Sequence, residues 1–176
     1  MSLPLLVTRS EGLVIHEIGG RPASDVFREF ASRQTEKVIQ SNGFAWQASF
    51  ALGLIEPDGS YLVRGVNPTP AGPLHSFTSL PPFSAVQVMT GTPESMLSVI
   101  DGVIGSAKTY GDESVLLAFD CIARMDIMGD DYPDEVARIA KAADGSTCFG
   151  VYTYGEFGRS QGVGGVHNST LTTLAL

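Results

Sequence analysis

The sequence predicts an α+β fold: a mixed, largely antiparallel sheet with about three helices packed on it. Three observations predict it. Strand-like segments outnumber helical ones, in the order β-α-β-β-(β)-β-α-β-α-β-β. A tight hairpin is encoded at Pro57-Asp58-Gly59, and a second pair of strand-like runs closes the chain. The helices do not alternate with single strands, so the order is not that of a regular doubly wound fold.

Residues 12–18 (GLVIHEI) read as a β-branched strand closed by Gly19-Gly20. RPASDVFREFASRQ reads as a helix, with Pro22 near its first turn and Val26, Phe27 and Phe30 forming one apolar stripe. ASFALGLIE and SYLVRGV flank the Pro57-Asp58-Gly59 turn, where Pro presets φ and Gly accepts a positive one. Residues 67–82 hold five of the ten prolines, so any strand there, as at LHSFTSL, is confined to an edge. SAVQVMTG is a further strand. Thr92, Pro93 and Glu94 open a second helix as cap, first-turn proline and first-turn acid. Its stripe is Met96, Leu97, Ile100, Val103, Ile104 and Ala107, and Gly111 is the expected stop. The apolar run VLLAF at 115–119 predicts a central strand covered on both faces. Asp131 is the expected cap of a third helix, with Pro133, Asp134 and Glu135 in its first turn, Lys141 near its end and Gly145 beyond it. CFGVYTYGEF and VHNSTLTTLAL then pair as a closing hairpin.

A chain of 176 residues is one domain, or two small lobes sharing one core. With 43% hydrophobic and 17% charged residues it is globular, and folding at this size buries roughly 70% of the unfolded surface. Two cysteines, Cys121 and Cys148, both in apolar runs, are too few for a secreted disulfide framework and read as buried thiols in a reducing compartment. A net charge of −8, with 11 Lys and Arg and no basic cluster, argues against nucleic acid and against an anionic membrane surface. No apolar run approaches the ~20 residues of a membrane span. Residues 1–11 read as an N-terminal extension, with Met1–Leu3 compatible with vector-derived sequence and no signal-peptide pattern. The expected location is cytoplasmic.

The glycine-rich stretches GVGG (162–165) and GVIGSAK (102–108) lack the strand–loop–helix context that aims backbone N–H groups at a phosphate. His16, His75 and His167 are scattered, and the five carboxylates of MDIMGDDYPDE fit a helix start better than a calcium loop. Cys121 with His167 as base is a conceivable nucleophile, although no elbow motif surrounds it.

FDCIAR is more informative. A strand that runs apolar and then presents Asp120, Cys121 and Arg124 is leaving the core at its C-terminal end, where ligands tend to bind. Arg64 emerges similarly from SYLVRGV. An arginine fork suits a carboxylate, and the plain alternative is an internal Arg–Asp pair. Glu156, between Gly155 and Phe157, is a carboxylate in an apolar setting. Arginine for a carboxylate, Glu156 for an ammonium, and Tyr152 and Tyr154 as walls would complement a small zwitterion. The alternative is that Glu156 pairs with Arg124 and locks two strands.

The spacing of EIGGRPA, YLVRGV, FDCIAR, GVYTYGEFG and HNSTLTTLAL, from about residue 12 to the end, resembles the C-terminal part of the FIST domain. That domain is sensory, found in prokaryotic signal-transduction proteins and in eukaryotic F-box proteins. EIGG departs from the family pattern, in which an acidic residue usually precedes the second glycine. The resemblance implies a preceding FIST N-terminal half and a downstream signalling module in the parent protein, of which this chain reads as a piece. It implies a non-enzymatic module for a small ligand, amino acids among them. It also leaves the alternative of haem as a nitric oxide sensor, on one of the three histidines. Carried over by motif, Arg64, Cys121, Arg124, Tyr154, Gly155, Glu156, His167 and Asn168 are the implied site, with Tyr-Gly-Glu and His-Asn facing each other across the terminal hairpin. Gly155 would there allow close approach of a ligand or of neighbouring backbone.

Overall fold

Pro57-Asp58-Gly59 turns the chain as its residues require: Gly59 adopts φ +83, and the Ser60 backbone N–H and hydroxyl both donate to the Asp58 carboxylate. In the computed structural model, which describes residues 1–38, 49–70, 72–110, 114–160 and 163–176, this turn joins β4 (Phe50–Ile55) to β5 (Tyr61–Pro68). The fold is α+β with largely antiparallel strands, as the sequence predicts. It divides into two units, Met1–Thr90 and Gly91–Leu176, and each has its own hydrophobic core. The expectation of one shared core is corrected accordingly, because the polar Thr90–Gly91–Thr92 junction separates two independently patterned apolar sets.

In the first unit β1 (Leu5–Glu11), β2 (Val14–Ile18), β3 (Arg21–Pro22), β6 (Leu74–Ser76) and β7 (Ala85–Thr90) join β4 and β5 in the order β1-β7-β4-β5-β6-β2-β3, every pairing antiparallel. Because β1 also pairs with β2, six strands form a closed ring and their edges are consumed. The segment 1–11, read from sequence as an extension, thus supplies a ring strand with Val7 fully buried. The turn from β2 into β3 needs two successive positive φ values, met by Gly19 (+60) and Gly20 (+74). Helix α1 (Ala23–Val38) lays Phe27 on this core, with its ring edge-on to Phe50 at 6.3 Å.

In the second unit, Thr92 caps α2 (Pro93–Ser98) with a reciprocal bond to Ser95, and α3 (Ile100–Ala107) follows after a break at Val99 where one helix was expected. The expected stop, Gly111, lies outside the described residues. β8 (Val115–Cys121) runs directly into a short helix α4 (Ile122–Met128) that the sequence reading took for strand end, since an apolar run has no period to mark the change. α5 (Tyr132–Ala143) begins without a side-chain cap: Asp131, at φ −87 and ψ 5, lacks the extended backbone that aims a carboxylate at the first-turn N–H groups. Its C-terminus is capped from outside, by Lys108 Nζ donating to the carbonyls of Ala143 (2.7 Å) and Asp144 (2.9 Å).

The predicted closing hairpin divides in four: β9 (Thr147–Thr153), β10 (Glu156–Ser160), β11 (Val163–His167) and β12 (Leu171–Ala175). β9 and β12 do not pair with each other but flank β8, one parallel through the α4–α5 crossover and one antiparallel. β10 and β11 form their own two-stranded hairpin. Over its first five residues β8 buries the face carrying Leu116 and Ala118, which meets Ile100, Ile104 and Ile139. Phe119 on the other face is exposed, so β8 is not covered on both. No described helix is long and apolar enough to cross a membrane.

Phe27→Ala removes one of the two buried phenyl rings of the first core. It is expected to cost about 3–5 kcal/mol in urea unfolding; a loss under about 1 kcal/mol would contradict this packing.

Candidate functional site

Successive residues of a strand point to opposite faces, and at the end of β8 this divides Asp120 from Cys121. Asp120 is paired in register with Tyr152, and Cys121 with Thr153. Two clusters result.

The first is built around Arg124. From α4 its Nε stands 2.9 Å from Asp120 Oδ1, and its Nη2 donates to Glu135 Oε1 on α5 and, at 3.1 Å, to the Met96 carbonyl on α2. Nη1 also lies 3.3 Å from Met96 Sδ. All three charged side chains are buried. Burial, and then the Glu135 charge, push the Asp120 carboxyl up to about 7, against the pull of Arg124. Burial, and then the Asp120 and Glu135 charges, push the Tyr152 phenol up to about 12. Arg124 is therefore an internal strut. Of the two ion pairs open for it, with Asp120 or with Glu156, the one with Asp120 is formed.

The second cluster is built around Glu156, 2% exposed. Glu156 Oε1 accepts from Thr153 Oγ1 at 2.6 Å, and Oε2 accepts from Thr170 Oγ1 at 3.0 Å. Among the described residues it has no ion-pair partner, Arg124 included. The Cys121 sulfur lies beside the Glu156 carboxylate and against the backbone N–H groups of Ala123 and Ser169. Burial chiefly, with Glu156 adding, raises the thiol pKa, and those two N–H groups only partly oppose it. Ser169 holds φ +55, which turns the chain from β11 to β12 and brings Thr170 back to Glu156. His167 pairs directly with Glu156 in the β10–β11 register, so the expected opposition of the Tyr-Gly-Glu and His-Asn segments is present. The His167 Nε2 lies 3.3 Å from the Gly158 carbonyl, and Asn168 is buried.

The second unit thus brings together Cys121, Glu156, His167 and Asn168, and places Arg124 and the Tyr152 hydroxyl in the charged cluster behind them. Tyr154 forms no wall: it is 91% exposed. A Cβ at Gly155 would meet Val166, His167 and Asn168 atoms at 3.6–3.9 Å, ordinary contact, so no close approach demands glycine there. Arg64 belongs to the first unit, buried on β5 opposite Leu52, where desolvation lowers its pKa. Sequence reasoning left Thr153 and Thr170 out of the site, although they lie within the GVYTYGEFG and HNSTLTTLAL motifs, and it assigned Glu135 to the helix dipole. An acid at the fourth place of a helix, followed by Ile139 at i+4 on the same face, was the available clue that Glu135 points inward.

The FIST C domain family matches residues 23–159 of the chain. The protein belongs to the FIST C domain family. No curated protein and no solved structure matches it. FIST C is a family of sensory signal-transduction domains. The match runs from the first residue of α1 into β10, spanning Arg64, Cys121, Arg124 and Tyr152–Glu156; His167 and Asn168 lie beyond its end. Haem, which the resemblance raised, would need one of His16, His75 and His167 as its ligand. Of these, His167 is buried with Nε2 3.3 Å from the Gly158 carbonyl, His75 stands exposed on β6 between β5 and β2, and His16 is half-buried on β2.

Arg124→Met leaves Asp120 and Glu135 buried without their cation, and is expected to cost about 3–5 kcal/mol in denaturant unfolding; a neutral result would remove the strut assignment. Cys121 is expected to react with iodoacetamide at neutral pH far more slowly in the folded protein than in urea, read by mass spectrometry. Rapid native labelling would instead reveal a thiolate and revive a nucleophilic role.

Proposed function

We propose that this FIST C domain is a non-enzymatic sensory module that binds a small polar ligand bearing an ammonium group, such as an amino acid, at Glu156. One observation carries the reading. Glu156 is a buried carboxylate held by two neutral hydroxyls, with no cationic side chain within ion-pair distance among the described residues. A buried charge without a counter-charge is costly, and a ligand ammonium would supply the missing one. Thr153 and Thr170, fixed at the ends of β9 and β12, hold both carboxylate oxygens in place, so the group is oriented before a ligand arrives. The raised thiol pKa at Cys121 supports binding over nucleophilic catalysis.

The test is thermal shift of the purified protein against a panel of amino acids and small amines. A ligand at 100 times its Kd adds about 2.7 kcal/mol of stability. Glu156→Gln keeps the shape, accepts from one threonine and donates to the other, so it is expected to cost only about 1–3 kcal/mol while abolishing the shift. A shift that survives in the variant, or no shift with any amine in the wild-type protein, overturns the reading.

A further inference from the structure

The Arg124 cluster is unbalanced in charge. Two carboxyls, Asp120 from β8 and Glu135 from α5, face one guanidinium, and their side chains are 7%, 0% and 3% exposed in that order. Two phenols lie at the cluster: Tyr152 from β9, on which both acids act, and Tyr132 at the start of α5, which acts on Tyr152. From α2 the cluster receives only the carbonyl and sulfur of Met96. Among the described residues no second cation forms an ion pair with either acid. With both acids ionised, the interior would hold one uncompensated negative charge.

The hydrogen bonds point the same way. The Asp120 and Glu135 carboxyls converge on one guanidinium, the Glu135 charge opposing ionisation of Asp120, and two carboxylates can only accept. Glu135 Oε2 is buried with no donor among the described residues, and Arg124 Nε, although 2.9 Å from Asp120 Oδ1, makes no hydrogen bond to it. The buried Tyr152 hydroxyl donates to neither acid. One proton on either carboxyl supplies the missing donor and removes the excess charge.

We propose that Asp120 and Glu135 form a buried proton-binding site, sharing one proton that is released on mild alkalinisation and whose loss weakens the packing of β8, α4, α5 and β9. The inference is independent of whether Glu156 takes a ligand. The sign of the effect follows from linkage. In the unfolded chain an aspartate titrates near 3.8, whereas folded Asp120 is pushed up to about 7. Between these values the folded state binds more protons, so stability falls as pH rises through that window and levels off above it.

The experiment compares melting temperatures of wild-type protein, Asp120→Asn and Glu135→Gln at about pH 5 and about pH 8, with the infrared carbonyl band of a protonated carboxyl followed in the wild type. Each amide imitates the protonated acid. The wild type is expected to lose several degrees more than either variant between the two pH values, and its carboxylic-acid band to be present at the lower pH and lost at the higher. Parallel pH dependence in wild type and variants overturns the proposal. So does the absence of a protonated-carboxyl band in the wild type at the lower pH, a measurement that stands even if a variant does not fold.

Discussion

The second unit depends on one buried guanidinium. Arg124 is the point at which α4, the end of β8, the first turn of α5 and the α2 backbone are joined, through Asp120, Glu135 and the Met96 carbonyl. A planar fork with several fixed N–H directions can hold three elements at once, which a lysine ammonium on a flexible stem cannot do with the same geometry. Such a strut does not add much net stability over well-packed apolar side chains. What it sets is orientation: it holds the end of β8 so that Asp120 faces the helices and Cys121 faces the β10–β11 side.

The pleat of β8 therefore separates two kinds of chemistry by one residue. Behind the sheet, charge is met by charge, with one acid in excess. In front of it, Glu156 is met among the described residues by two hydroxyls, beside a thiol whose pKa burial raises. Thr153 is where the two come closest, its hydroxyl bonding Glu156 at 2.6 Å with the Asp120 carbonyl 3.3 Å away. The family match and the geometry bear on different questions. The match makes the chain a FIST C sensory domain, while the unbalanced carboxylate is what gives the binding proposal its chemistry.

The first unit is organised by a different constraint, the closure of a strand ring. Six strands there close on one another, so edge protection comes from closure and not from charged edges. β1 completes the ring, and no local feature of LLVTRSE announces this, because a partner strand is a long-range fact.

By itself the sequence determined what depends on neighbours along the chain. The Pro57-Asp58-Gly59 hairpin, the Thr92 cap, the apolar stripes of α1 and α3 and the α+β class follow from turn chemistry, capping and periodicity, and the family is legible in motifs such as GVYTYGEFG and HNSTLTTLAL. It also marked Cys121, Arg124, Glu156 and His167 as unusual, since polar groups in apolar runs need a reason. Tertiary structure decided the partners. Arg124 and Glu156 are 32 positions apart in sequence and equally plausible as a pair, yet the start of a helix at Ile122 swings Arg124 towards Glu135 and leaves Glu156 to two threonines. Which strands flank β8, and in which direction, was likewise invisible in β9 and β12, because both edges of an apolar strand offer the same hydrogen bonds. Pairing of charges and strands is settled by which groups the whole fold brings within a few ångströms, and no local pattern encodes that distance.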